Sequence, residues 1–239
     1  MLFDAHIHLL PGLGGDPTDL SQSIEMLSLL HGLHVRGALA LTRYNPYLLP
    51  YALYVRRFEE RAALLRSCIK EHAYRVRPIF ASEVLYTQGM HKDFDLTLFT
   101  IPKTRLLPLL YPLLPFEDDW MRDLSYIISK LHLTPIICHF EQQFLLHPER
   151  NAARFTGSSN MIYQISSHSL RNRSFAKFVL ENHRRGKRFI IGSGADVPEV
   201  LKCDCYASDA WGLDGLQSVA HKLLYRANED FRREISFYG

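Results

Sequence analysis

Short apolar runs recur along this chain, each followed by a stretch with helical periodicity, and that alternation admits few folds. Met1 to Ile7, Val35 to Leu41, Arg77 to Ala81, Phe94 to Ile101, Thr134 to Cys138, Asn160 to Ile165 and Arg188 to Ile191 read as strands. Between them, Asp16-Pro17 reads as a helix start, with Leu20, Ile24, Leu27 and Leu30 at helical spacing and Gly32 closing the run. A long helix is expected from about Leu53 to Glu71, and others over Trp120 to Leu131, Phe175 to His183 and Leu216 to Arg226. Strand-helix alternation of this kind points to an α/β fold built on a parallel sheet. The 239 residues suit one barrel, so residues 1–239 are expected to form a single domain.

The composition narrows the class further. Apolar residues make up 47% of the chain, enough for a large core and too many for a disordered segment. The net charge of +3 is spread out. The densest basic stretch, His183, Arg184, Arg185, Lys187 and Arg188, lies between a helix-like and a strand-like run and reads as a solvated turn, so no nucleic-acid partner is expected. Asp4, His6 and His8 interrupt the N-terminal apolar residues, against a signal peptide. Leu106 to Phe116 is very apolar but short and carries three prolines, so no membrane insertion is expected. A reducing cytoplasm then makes Cys68, Cys138, Cys203 and Cys205 thiols. Cys203-Asp204-Cys205 is too tight for an ordinary zinc knuckle and reads as structurally neutral.

The chemistry gathers at strand ends. His6, His8, Glu83, His139 and Asp196 each fall at or near the C-terminal end of an expected strand. In a parallel barrel those ends converge on the face where active sites sit. His6 and His8 are two apart on an extended strand, so both imidazoles point to one side. Two neutral imidazoles with carboxylates suit Mn²⁺, Zn²⁺ or Fe²⁺. The plainer reading is a pair of histidines satisfied inside a barrel. Glu83 caps the apolar run Pro78 to Ala81, where a carboxylate must be paired or metal-bound, or else be a loop acid or helix cap. His139 stands in the same relation to Pro135 to Cys138. His31, His34, His72, His132, His183 and His221 read as surface or flanking residues, and His147-Pro148-Glu149-Arg150 as a helix start.

Several of these segments together resemble a known family. Phe3-Asp4-Ala5-His6-Ile7-His8-Leu9-Leu10-Pro11-Gly12, followed by Ser23-Ile24-Glu25-Met26-Leu27, is similar to the opening of the bacterial CpsB/YwqE-type phosphatases of the PHP superfamily. Phe80-Ala81-Ser82-Glu83-Val84 resembles the family's P-G-Q-E-I, and Thr134 to His139 its T-P-I-I-A-H, in matching order over roughly residues 1 to 200. The resemblance implies a distorted (β/α)7-type, TIM-barrel-like PHP fold and a metal-dependent protein-tyrosine phosphatase, with Mn²⁺ as the expected ion. It further implies a phosphotyrosine-containing substrate protein, such as the tyrosine-rich tail of a bacterial kinase controlling capsule or exopolysaccharide assembly.

The departures from the family shape the expected site. Gly14-Gly15 replace an aspartate pair, Arg43 stands for a histidine, Leu110 or Tyr111 for an acid, Gln142 for an arginine, and Ser193-Gly194-Ala195-Asp196 for S-D-A-H. Asp209, in Ala207 to Trp211, is the alternative late acid. The surviving metal set is His6, His8, Glu83 and His139, with Asp196, for one or two ions rather than three. Arg43 and His139 are the expected catalytic groups, Arg43 replacing a third ion's charge and gripping a phosphate oxygen. A second reading is a catalytically impaired homologue that binds a phosphotyrosine tail and regulates its partner. A third is a TatD-like nuclease, which also opens on D-x-H-x-H and would recruit His168.

Overall fold

The computed structural model describes residues 2–13, 19–112, 118–146, 160–203, 206, 211–213 and 215–237. Seven strands form one sheet: β1 (Leu2–Ile7), β2 (Val35–Tyr44), β3 (Arg77–Leu85), β4 (Leu106–Leu110), β5 (Thr134–Cys138), β6 (Ile162–Ser166) and β7 (Arg188–Gly192). They run parallel in sequence order, and β7 curls round to lie against β1. Among the described residues the α-helices are α1 (Leu20–Gly32), α2 (Tyr51–Glu71), α3 (Asp118–Ser129), α4 (Phe140–Leu146), α5 (Arg173–Arg184), α6 (Pro198–Lys202) and α7 (Gln217–Phe237). The result is a nearly closed α/β barrel of the expected class.

One expected strand is absent and an unexpected one takes its place. Phe94 to Ile101 is not a strand: Asp95 accepts the Thr97 N–H at 3.0 Å and starts a 3-10 turn, Leu96–Phe99. The fourth strand is Leu106–Leu110. The sequence argues against it because Pro108 sits in the middle of a central strand, where proline is disfavoured. The Asp16-Pro17 helix start lies outside the described residues. The helix itself begins at Leu20, with Asp19 as its cap accepting from the Gln22 N–H at 3.0 Å. The last helix also runs eleven residues beyond Arg226, to Phe237.

Strand alternation builds the barrel interior. Leu39 and Leu41 from β2, Ala81 from β3, Ile136 and Cys138 from β5, Ile162 from β6 and Ile190 from β7 pack into one buried cluster with Phe3 and Ala5 of β1. Continuing the same parity one step toward the C-terminal ends gives Arg43, Glu83 and Gln164. Each polar group of the rim thus sits on an apolar ladder. Outside the barrel, Met26, Leu27 and Leu30 of α1 pack with Ala62 and Leu65 of α2 over β1 and β2.

The seam between β1 and β7 is where the barrel could fail, and α7 fills it. Asn228, buried on α7, donates to the carbonyls of Phe3 (3.1 Å) and Ile191 (2.6 Å) and accepts from the Ile191 N–H (2.7 Å). It supplies partners to strand edges that would otherwise stay unsatisfied. Phe231 and Ile235 from the same helix enter the interior cluster. Toward the rim, backbone bonds from Gly194 N–H to His6 O (2.9 Å) and His8 N–H to Ala195 O (2.8 Å) complete the closure.

Candidate metal centre

Local geometry at β1 decides where the histidines point. In simple alternation Phe3 and Ala5 would face inward and neither His6 nor His8 would do so. The register between β1 and β2 advances from Asp4↔Ala38 to Ile7↔Ala40, three residues against two. That extra residue is a β-bulge. It resets the phase, so Phe3 and Ala5 line the interior below while His6 and His8 face inward above, with Ile7 packed on the outer layer. Asp4 stabilises the irregularity: its carboxylate accepts the His6 N–H at 3.0 Å. It also accepts from Ser193 N–H (2.9 Å), Ser193 Oγ (2.7 Å) and Tyr206 OH (2.6 Å), tying β1 to the loop after β7. Burial pushes the Asp4 carboxyl's pKa up, opposed by those donors.

Asp4→Ala should therefore do more than remove one residue. It leaves buried donors without an acceptor, a loss of about 2–4 kcal/mol, which for a chain of this size lowers Tm by on the order of 10 °C. It also frees the bulge, so metal binding should weaken together with Tm. Calorimetry and metal titration of the variant check this; a variant that melts lower but binds metal as the parent does would detach Asp4 from histidine placement.

Four side chains converge above the interior. His6, His8, Glu83 and His139 each offer a donor atom, and all four donors lie within 4.8 Å of one another. His6 Nε2 is 3.2 Å from both His8 Nε2 and Glu83 Oε2. Glu83 Oε1 is 3.6 Å from His8 Nε2, and Glu83 Oε2 is 3.8 Å from His139 Nε2. All four residues are buried. Glu83 Oε2 and both ring nitrogens of His139 lack a hydrogen-bond partner. Buried polar atoms rarely go unsatisfied, and each such case requires a cause. Three imidazoles and one carboxylate gathered this closely, with Glu83 Oε2 and His139 Nε2 open, suit a divalent transition-metal ion. The electrostatics agree. Burial, with the neighbouring imidazoles, holds the His6 pKa well below its ordinary value, and burial lowers that of His8 to about 4. Both rings are thus neutral at pH 7, the form that ligates.

His139 is held from behind. It follows β5 and takes a left-handed backbone conformation, φ 51°, rare for a residue with a side chain and common where function imposes strain. Its N–H donates to Gln164 Oε1 at 2.8 Å. Its Nδ1 lies 3.6 Å from Glu141 Oε1, and Glu141 in turn accepts from Ser166 Oγ (2.6 Å) and Ser166 N–H (3.2 Å). Burial alone would lower the His139 pKa, but Glu141 and Glu83 outweigh it and raise it. A carboxylate behind a ligating imidazole fixes ring orientation and strengthens it as a donor. Neither Glu141 nor Gln164 stands out in the sequence as a site residue. The signal available for Glu141 was an acid two residues beyond His139, at the start of α4; Gln164 offered only its inward parity on β6.

The remaining expected residues fall as follows. Arg43 closes the site from the β2 side, its Nε 3.1 Å from Glu83 Oε1, with the side chain about one-third exposed at the mouth. Asp196 follows β7 and is near enough to His8 to favour its protonated form, but it stands outside the four-residue cluster. Asp209 and His147 to Arg150 lie outside the described residues. His168 is exposed on a 3-10 turn after β6 and does not join the cluster, which leaves the nuclease ligand set incomplete. Leu110 and Tyr111, at the position of a family acid, supply no carboxylate, and Gln142 is exposed on α4. Cys68, Cys138 and Cys203 are free thiols.

Comparison with known proteins places the fold. No family model matches the sequence, and no curated protein matches it. Among solved structures, the chain matches one from the pair YwqE from Bacillus subtilis and CpsB from Streptococcus pneumoniae, described as unique metal-dependent tyrosine phosphatases. The TM-score is 0.65 at 18% identity, over 95% of this chain and 95% of that one. The likeness establishes the fold: the chain has the distorted barrel that its opening motif implied.

Proposed function

We propose that the chain is a divalent-metal-dependent phosphoric-ester hydrolase that removes phosphate from tyrosine in proteins, with His6, His8, Glu83 and His139 as its ligands. The observation that carries this reading is the buried three-histidine, one-carboxylate cluster, its donor atoms within 4.8 Å of one another, with Arg43 against its carboxylate. Its likeness in fold to metal-dependent tyrosine phosphatases supports the choice of reaction. A divalent cation there would supply Lewis acidity toward a phosphoryl oxygen and a water of lowered pKa.

The chain's own groups suit the rest of the task. Arg43 gives Nε to Glu83, and the two outer nitrogens of its partly exposed guanidinium would be available to take phosphate oxygens. Glu141 and Gln164 keep His139 in one orientation, so no reorganisation is needed as substrate binds. One carboxylate among four ligands, with Arg43 beside it, balances little cationic charge, which favours one ion over a crowded cluster. Mn²⁺ is the ion we favour, with Zn²⁺ or Fe²⁺ compatible with the imidazoles. Asp196 is the candidate fifth ligand. We extend the reading to a cytoplasmic enzyme acting on the phosphorylated tail of a tyrosine kinase in capsule or exopolysaccharide synthesis. No described helix is long and apolar enough to cross a membrane.

One feature favours a second reading. The Arg43–Glu83 contact occupies a carboxylate oxygen that would otherwise be free for metal, so a chain that binds a phosphotyrosine tail and regulates it with little turnover fits the same residues. Kinetics separate the two. Mn²⁺-stimulated hydrolysis of p-nitrophenyl phosphate and of a phosphotyrosine peptide is expected. Arg43→Ala should raise KM for both by about tenfold, the loss of one charge-assisted contact. Peptide binding with no turnover in any of the three metals would favour the regulator, and an unaltered KM in Arg43→Ala would remove Arg43 from phosphate recognition.

A further inference from the structure

The opposite end of the barrel holds a second, unassigned feature. Between the N-terminal ends of β2 and β3, the turn after α2 and the last turns of α7 lies a cavity of about 860 Å³. Arg36, Arg75, Arg77 and Arg232 line it, and among the described residues no acidic one does. Tyr74, Ile69 and Ile79 supply apolar wall. Its volume is that of a small-molecule site rather than a crevice for one ion.

Three of these four arginines are not spent on the fold. Other arginines at this end of the barrel have structural partners. Arg105, before β4, donates Nε to His132 O at 2.9 Å and a terminal nitrogen to Leu131 O, closing the end of α3. Arg188, at the start of β7, pairs with Glu234. Arg232 pairs with Glu229 at 2.6 Å, although it faces the cavity. The guanidinium groups of Arg36, Arg75 and Arg77, by contrast, make no hydrogen bond or ion pair with any described residue. The end of α2 does not need them either, because its carbonyls at Cys68, Ile69 and Lys70 already accept the N–H groups of His72, Tyr74 and Ala73. Three like charges around one concavity repel each other unless an anion joins them.

We propose that this cavity is a binding site for a small phosphorylated ligand with a planar or apolar portion, of the nucleoside diphosphate class. Arg36, Arg75 and Arg77 would take the phosphate oxygens through forked contacts, and Tyr74 would face the planar part. The site is separate from the metal centre. From Arg36 to Arg43 along β2 the chain spans roughly 23 Å at the rise of a strand. The proposal is therefore independent of the hydrolase reading.

Titration calorimetry of the full chain with ADP tests it, run in parallel on the parent, on Arg36→Ala/Arg77→Ala, and on Arg43→Ala at the other end. Both substituted residues of the double variant are at least partly exposed, and an unchanged melting curve shows that it folds. The expected result is saturable binding to the parent, weakened at least about tenfold by the double substitution and unchanged by Arg43→Ala. AMP and pyrophosphate should each bind more weakly than ADP. Absence of binding at millimolar ADP overturns the proposal. So does binding that survives the double substitution, or that falls with Arg43→Ala and so belongs to the metal centre.

Discussion

A chain carrying Glu83→Gln should lose turnover of an aryl phosphate by a hundredfold or more. The amide keeps the shape of the side chain but removes the only carboxylate among the four gathered donors. Three neutral imidazoles then hold a cation without compensating charge in a buried site, and the Arg43 guanidinium beside them loses its counter-charge at 3.1 Å. Metal affinity and turnover fall together. Removing a group that acts on transition-state charge in such a site costs about 10²–10³ in rate. The fold should survive, since Glu83 sits at the rim and the apolar ladder of Ala81 beneath it is untouched. Stopped assays with saturating Mn²⁺ check the prediction; parent-like turnover would show that Glu83 neither holds metal nor touches the reaction.

The second large effect is structural. Gly192→Ala should destabilise the chain by about 3 kcal/mol or abolish its soluble expression. Gly192 ends β7 facing the seam, and a Cβ built there would lie 2.4 Å from His6 N, 2.6 Å from His6 O and 2.6 Å from His6 Cβ. Two of those atoms are backbone in the bulged strand, held on either side by Asp4 and by the bond from Gly194, so neither can yield. Overpacking at a rigid site costs about 1–3 kcal/mol or more, a large share of a marginal total. If the variant persists, β1 must move away from β7 and carry His6 with it. Thermal melts and metal titration of Gly192→Ala give the answer. Parent-like stability would mean that β1 and β7 are not so tightly apposed.

The sequence made the main candidate ligands legible for a simple reason. A polar residue at the end of an apolar strand breaks a pattern, and Glu83 and His139 do so in isolation after Pro78 to Ala81 and Pro135 to Cys138. Parallel strands then bring such ends together whatever their distance along the chain. Other features lacked any periodic signature. The bulge at Ala5-His6 cannot be read from alternation, which would place Asp4, His6 and His8 on one face, whereas Asp4 serves the seam and the histidines serve the site. Pro108 disguised β4, and a run of apolar residues from Phe94 imitated a strand although Asp95 caps a turn there. Glu141 lies on the helix after His139, and its role depends on Ser166 from the next strand, a contact between elements 25 residues apart. Such partners are tertiary facts. They follow from where β5 and β6 sit, and become readable only after the barrel is built.

The most direct test of the account is anomalous diffraction from crystals of the full chain grown with Mn²⁺ and without chelator. One strong peak is expected within coordination distance of His6, His8, Glu83 and His139, on the Arg43 side of the barrel. Crystals that diffract well but show no peak there, or whose only peak lies away from these four residues, would contradict it.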